Sequence, residues 1–127
     1  MPMSYRIDDD RQWIMTTAWG VLTDADVLSH KAALSRDPKF RVGMSELSDV
    51  SAIERLEVTT EGVRAMVAHD RVHGDRRSAH RLALVVPAPE VFGMARMYQM
   101  MSAPDESIGV FRDIVEASAW LAAGSPQ

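Results

Sequence analysis

The chain has 127 residues, 46% of them hydrophobic and 25% charged, with a formal net charge of −4 and a pI near 5.5. That size and balance suit one compact domain with its own core, and give no global field drawing the chain to nucleic acid or an anionic membrane. The absence of cysteine excludes disulfides, thiolate metal sites and cysteine nucleophiles, and fits the cytoplasm.

In chain order, the opening MPMSYRIDDD is polar and quickly acidic, unlike a signal peptide. Ser4 to Ile7 reads as a short strand and DDDR as a turn. Trp13 to Trp19, rich in aromatic and β-branched residues, reads as a second strand close enough to form a hairpin with the first. Gly20 to Thr23 leads into a helix with Thr23 as N-cap and Asp24 and Asp26 in its first turn. Val27, Leu28, Ala32 and Leu34 form its apolar side, and Asp37-Pro38 stops it. Met44 to Val50 is a third strand with imperfect alternation, and Ser51 to Val58 a linking stretch. Thr59 or Thr60 caps a second helix, where Val63, Met66 and Val67 share a face.

His80 to Val86 contains RLALVV, a near-continuous apolar run expected of a strand covered on both faces. Pro87 to Glu90 opens a third helix, with Pro89 suited to its first turn, running to about Met101. Ser107 to Phe111 is a fifth strand. A last helix begins at Asp113, passes Trp120 and Leu121, and ends at Gly124 and Pro126. No apolar run approaches the ~18 residues of a membrane span. The order β-β-α-β-α-β-α-β-α predicts an α/β fold: a five-stranded mixed sheet covered by four helices.

This order, with GVLTDADVLSHKAALSRDPKF around the first helix, VFGMARMYQMM in the third and VFRDIVEASAWL at the end, resembles the STAS superfamily, whose fold is called SpoIIAA-like. The closer similarity is to a small bacterial branch of STAS-like proteins. The resemblance spans most of the chain and implies a fold more than an activity. Better-known members are phosphorylated on a serine at the start of the helix after the third strand, in a motif resembling D-[LV]-S-x-V-x-x-[IL]-D-S-[ST]-G. Here Asp49 to Gly62 reads DVSAIERLEVTTEG. Asp49, Val50, Ser51, Ile53 and Leu56 fit, whereas Glu57 and Val58 stand at the Asp-Ser pair. One inserted residue brings Thr59 and Thr60 there, so the resemblance offers these two as phosphoacceptors, with a plain helix cap as the alternative. A more distant similarity reaches CRAL-TRIO lipid-transfer domains, whose extra pocket helices this chain is too short to carry.

Candidate sites are few. There is no G-x-S-x-G elbow, no G-x-G-x-x-G and no G-x-x-x-x-G-K-[ST]. Asp8, Asp9 and Asp10 fit a solvated turn better than a magnesium site. The arginines at 71, 76, 77 and 81 are interrupted by acids and histidines and read as a solvated loop. In the third helix Val91, Met94, Ala95, Met97, Tyr98 and Met101 cover a broad arc, with Met100 and Phe92 outside it and Arg96 and Gln99 on the polar side. Two readings stand: a buried core helix whose methionines fill gaps, or a Met-rich patch rimmed by Arg96 that docks an apolar ligand or a second subunit, a homodimer being the simplest case. Trp13, Trp19 and Trp120 are expected in the core. HDRVH, from His69 to His73, resembles a zinc-protease H-E-x-x-H in spacing. At helical spacing, however, Asp70 falls on the core face with Val63, Met66 and Val67, where an unpaired carboxylate is costly. The helix therefore frays near Ala68 to Asp70, or ends at Gly74 with Asp70 paired. His80, near in sequence, opens a strand and makes a poor third ligand.

The sequence thus predicts a STAS-like α/β domain over residues 1–127: a non-catalytic cytoplasmic bacterial module that binds or regulates through protein contacts. It predicts no cofactor, no nucleic-acid partner and no membrane insertion. The alternative is a carrier of a small apolar or lipid-like ligand, and a third reading is a metal-dependent enzyme at His69 and His73.

Overall fold

A computed structural model of the chain describes residues 2–41, 43–72, 81–102 and 107–124. These form β1 (Met3–Asp8), β2 (Trp13–Thr23), α1 (Asp24–Arg36), β3 (Ser45–Glu57), α2 (Thr60–Val72), β4 (Leu82–Val85), α3 (Pro89–Ser102), β5 (Ile108–Phe111) and α4 (Ile114–Ala123). The five strands make one mixed sheet in the order β1-β2-β3-β4-β5. β1 and β2 form the antiparallel hairpin, with Met3 opposite Ala18 and Asp8 opposite Trp13, and the other pairs are parallel. The aspartate run makes the hairpin turn: Asp8 Oδ1 accepts from the N–H groups of Asp10 (3.1 Å) and Arg11 (3.2 Å). Gln12 completes the turn at φ 61°.

Two strands are longer than expected. β2 runs on to Thr23, and β3 to Glu57, through the stretch read as a linker. Residues 19–23 pair in parallel with residues 52–57, and the register shifts twice, each time with one extra residue on β3. Two bulges break period two, so Val50, Ile53 and Leu56 all reach the same core cluster at spacings of three. That spacing is why the segment does not read as a strand.

Helices α1, α2 and α3 cover one face of the sheet and α4 the other. Along β4 the apolar run divides between them: Leu82 and Leu84 pack against α2 and α3, whereas Ala83 and Val85 pack with Ala117 and Leu121 of α4. On β2, exposure rises along the α4 face, from buried Trp13 through half-buried Met15 to exposed Thr17 and Trp19. Trp19 is thus 42% exposed rather than in the core, because it lies beyond the part of the sheet that α4 covers. Trp13 is buried and Trp120 half-buried. No helix among the described residues is long and apolar enough to cross a membrane.

Thr23 caps α1 in a capping box with Asp26: the Asp26 N–H donates to Thr23 Oγ1, and the Thr23 N–H donates to Asp26 Oδ2. The apolar side of α1 differs from the expected one. Val27 and Leu28 are half-buried, while His30 and Lys31 are buried beside Leu34. Their partners explain how two polar side chains occupy that face.

Candidate functional site

Lys31 Nζ lies 3.0 Å from Asp70 Oδ1 and 3.3 Å from Oδ2, and donates to the Tyr98 hydroxyl at 2.9 Å. Tyr98 in turn donates to Asp70. Asp70 therefore sits on the buried side of α2, as its helical phase requires, and α2 continues through Val72 because a cation from α1 neutralises it. Of the two outcomes open for this helix, the paired one holds. His69 is half-buried, with Nδ1 3.8 Å from Asp70 Oδ1. His73, Gly74 and His80, with Arg76 and Arg77, lie outside the described residues. Among the described residues no three His, Asp or Glu side chains come together as a metal cluster.

One residue along α1, His30 meets Glu46 of β3, Nε2 to Oε2 at 3.0 Å, and Thr16 of β2 donates to the same carboxylate oxygen at 2.7 Å. The Tyr5 ring packs edge-on against the His30 ring, with centroids 5.6 Å apart. His30, Glu46 and Thr16 are all more than nine-tenths buried. Polar groups at such depth are tolerated when they are hydrogen-bonded, as these are.

The two clusters border a cavity of about 110 Å³ between the sheet and helices α1, α2 and α3. Its walls are otherwise largely aliphatic, including Leu22, Val63, Met66, Leu84 and Val91. Ser48 of β3 lines it too, two residues beyond Glu46 on the same face and opposite Thr16 in the strand register.

The expected Met-rich surface divides. Tyr98 is buried, Met94, Met97 and Met101 are half-buried in the core cluster with Met66 and Val67, and Met94 and Tyr98 reach the cavity. Met100 is 73% exposed, and Arg96 is exposed.

The start of α2 is built around a carboxylate. Asp24, the first residue of α1, accepts from the Thr59 N–H (2.8 Å) and the Thr59 hydroxyl (2.6 Å). Thr59 Oγ1 accepts from the Gly62 N–H at 3.0 Å, the bond of an N-cap. A Cβ at Gly62 would stand 1.8 Å from Asp24 Oδ1, so only glycine admits the carboxylate this closely. An anion from the chain itself thus occupies a helix N-terminus. Thr60 is exposed beside it.

No family model and no curated protein matches the chain. Solved structures do. A protein of the DUF3478 family from Shewanella loihica PV-4, described as having a SpoIIAA-like fold, is 18% identical over 94% of this chain and 93% of its own, with a TM-score of 0.59. This chain has the SpoIIAA-like fold. The anti-sigma factor antagonist SpoIIAA in its unphosphorylated form also matches, with 14% identity, coverage of 96% of this chain and 98% of its own, and a TM-score of 0.60. β3 ends at Glu57 and α2 begins at Thr60, so Thr59 and Thr60 stand at the junction of the two elements.

The sequence missed the buried polar clusters. His30, Lys31 and Glu46 carry no motif, and each meets partners far along the chain. The one available signal was Asp70, whose helical phase called for either a frayed helix end or a partner for the carboxylate.

Proposed function

We propose that the chain is a non-catalytic bacterial binding module that acts in the cytoplasm through contact with a protein partner at the start of α2. The observation carrying this reading is the cap itself: Thr59 and Thr60 are exposed, and Thr59 is held by Asp24 and Gly62 in a fixed geometry. A phosphate on Thr59 would meet the Asp24 carboxylate and expel it, releasing the tie between α1 and α2, whereas one on Thr60 would add charge to the exposed cap. The likeness to a named anti-sigma factor antagonist supports the reading, and exposed Met100 and Arg96 offer a second surface where a further copy could dock. The test is intact-mass analysis of the protein from its own cells, combined with affinity capture by wild type and Thr60→Arg. Phosphate at Thr59 or Thr60, or a partner lost only from Thr60→Arg, supports the reading. Unmodified protein and identical captures count against it.

A second reading, a carrier of a small apolar ligand, is favoured by the cavity behind α3. Native mass spectrometry of freshly purified protein tests it: a reproducible small adduct supports carriage, and a bare mass opposes it.

A further inference from the structure

α4 is apolar on almost every side, and half of the sheet face beside it has no cover among the described residues. Of its ten residues only Glu116 is charged. Ala117 and Leu121 are buried against the sheet, yet the opposite arc, with Val115, Ala119 and Ala122, is exposed and equally apolar. A helix that is apolar all round is characteristically a buried one. The sheet on the same face is wider than its helix. Five strands at ~4.8 Å spacing span roughly 19 Å, whereas one helix is about 10 Å across, so α4 leaves room for a second helix. That room lies over β1 and β2. There Arg6, Met15 and Thr17 border an open concavity walled by Ile114 of α4, and Trp19 is exposed further along β2.

We infer that the chain forms a two-fold dimer in which α4 of each copy lays its outer face over β1 and β2 of the other. Helix and trough sit side by side on one face of the molecule. A two-fold axis running between them, along the strands, therefore fills both troughs in one operation and leaves none open to a third copy. Each sheet then carries two helices on this face, its own α4 and the partner's. Charge is complementary in the same sense. Glu116, the one charge of α4, has no ion-pair partner among the described residues, and neither has Arg6 on the trough floor, where Asp8 already pairs with Arg11. The dimer sets Glu116 of each copy against Arg6 of the other. This contact goes beyond the one proposed at the start of α2, which lies on the other side of the sheet and stays exposed. Two short helices make a small interface, so the expected dissociation constant is on the order of 10 µM.

The test is analytical ultracentrifugation of the intact chain over a concentration series spanning that value. Wild type is expected to pass from one chain to two, and Ala119→Arg, which puts a charged side chain on the outer face of α4, to stay at one. Arg6→Glu and Glu116→Arg should each weaken the dimer about tenfold, because each sets like charges together at two symmetry-related places, and the double variant should recover the wild-type constant. All these side chains are exposed, so the fold is expected to hold; circular dichroism checks this, and Ala122→Arg replaces Ala119→Arg should that variant unfold. A single-chain mass throughout the wild-type series overturns the dimer. An unaltered dimer in Ala119→Arg, or one abolished by Met100→Arg, overturns the α4 contact and moves the interface to another face. A double variant no tighter than the single ones overturns the pairing of Arg6 with Glu116.

Discussion

At the scale of single residues, the buried ion pair of Lys31 and Asp70 explains why α2 survives an acid on its core face. A charge pair at this depth gains little over an apolar pair, but removing one partner strands the other. Asp70→Ala is therefore expected to cost about 3 kcal/mol in chemical denaturation. In a Lys31→Met background the same change should cost well under half as much, and equal costs in both backgrounds would show that the pair is not coupled. A second residue pair sets pH dependence. Tyr5 donates to Asp37 Oδ2 at 2.5 Å, and burial, then this bond, pushes the Tyr5 phenol up from 10.0 to about 12. The same bond, first among its causes, holds the Asp37 carboxyl below its ordinary 3.8. The folded state keeps the Tyr5 proton more tightly, so that contribution is complete below pH 10 and lost as pH rises through about 12. The Asp37 contribution has the opposite sense, present above 3.8 and lost as pH falls through the lowered value. Tyr5→Phe should flatten both limbs of a stability–pH profile, and a profile that keeps its slope at either end would exclude the bond as the cause.

At the scale of elements, the caps couple the helices to one another. Asp24 opens α1 and simultaneously seats on the start of α2, and Gly62 is the residue that leaves room for it. Alanine has the better helix propensity by about 1 kcal/mol, so on an isolated helix Gly62→Ala would stabilise. Here the added methyl drives the Asp24 carboxylate off Thr59 and removes two hydrogen bonds. Gly62→Ala is expected to lower stability by about 1 kcal/mol, and in an Asp24→Ala background to raise it by a similar amount. Thermal melts of the four proteins decide this, and a stabilising Gly62→Ala in the wild-type background would mean the carboxylate simply moves aside without loss. Element order, the hairpin, the Thr23 cap and the double-sided burial of β4 were legible in the sequence because each follows from local pattern. The length of β3 was not, since two bulges set Val50, Ile53 and Leu56 at spacings that neither strand nor helix predicts. The polar floor of the cavity was illegible for a different reason. Glu46 and Ser48 look like a solvent face until His30, Thr16 and the covering helices are known.

At the scale of the whole molecule, the sheet separates two unlike sides. Three helices border a cavity with buried polar groups on one side, while α4 on the other closes a cluster of Trp13, Leu47, Ala83, Val85, Ala117 and Leu121. Asp113 caps the start of α4, accepting from the Val115 and Glu116 N–H groups. Arg81 holds its far end, donating to the Trp120 carbonyl at 2.6 Å with its guanidinium 4.5 Å from the Trp120 ring centroid. Leu121 is fully buried and Val115 is 72% exposed, so one helix offers both a cavity-forming truncation and a control. Leu121→Ala should cost about 2–4 kcal/mol, and Val115→Ala less than about 0.5 kcal/mol. Because the α4 cluster lies across the sheet from Met66, Leu121→Ala, measured where it remains folded, should leave the NMR shift of the Met66 methyl group as in the wild type. Stability lost with that shift unchanged would mean that the two sides act independently. A shift that moves along with the lost stability would mean that the sheet transmits packing from α4 to the other side, and the separation of the two sides would have to be abandoned.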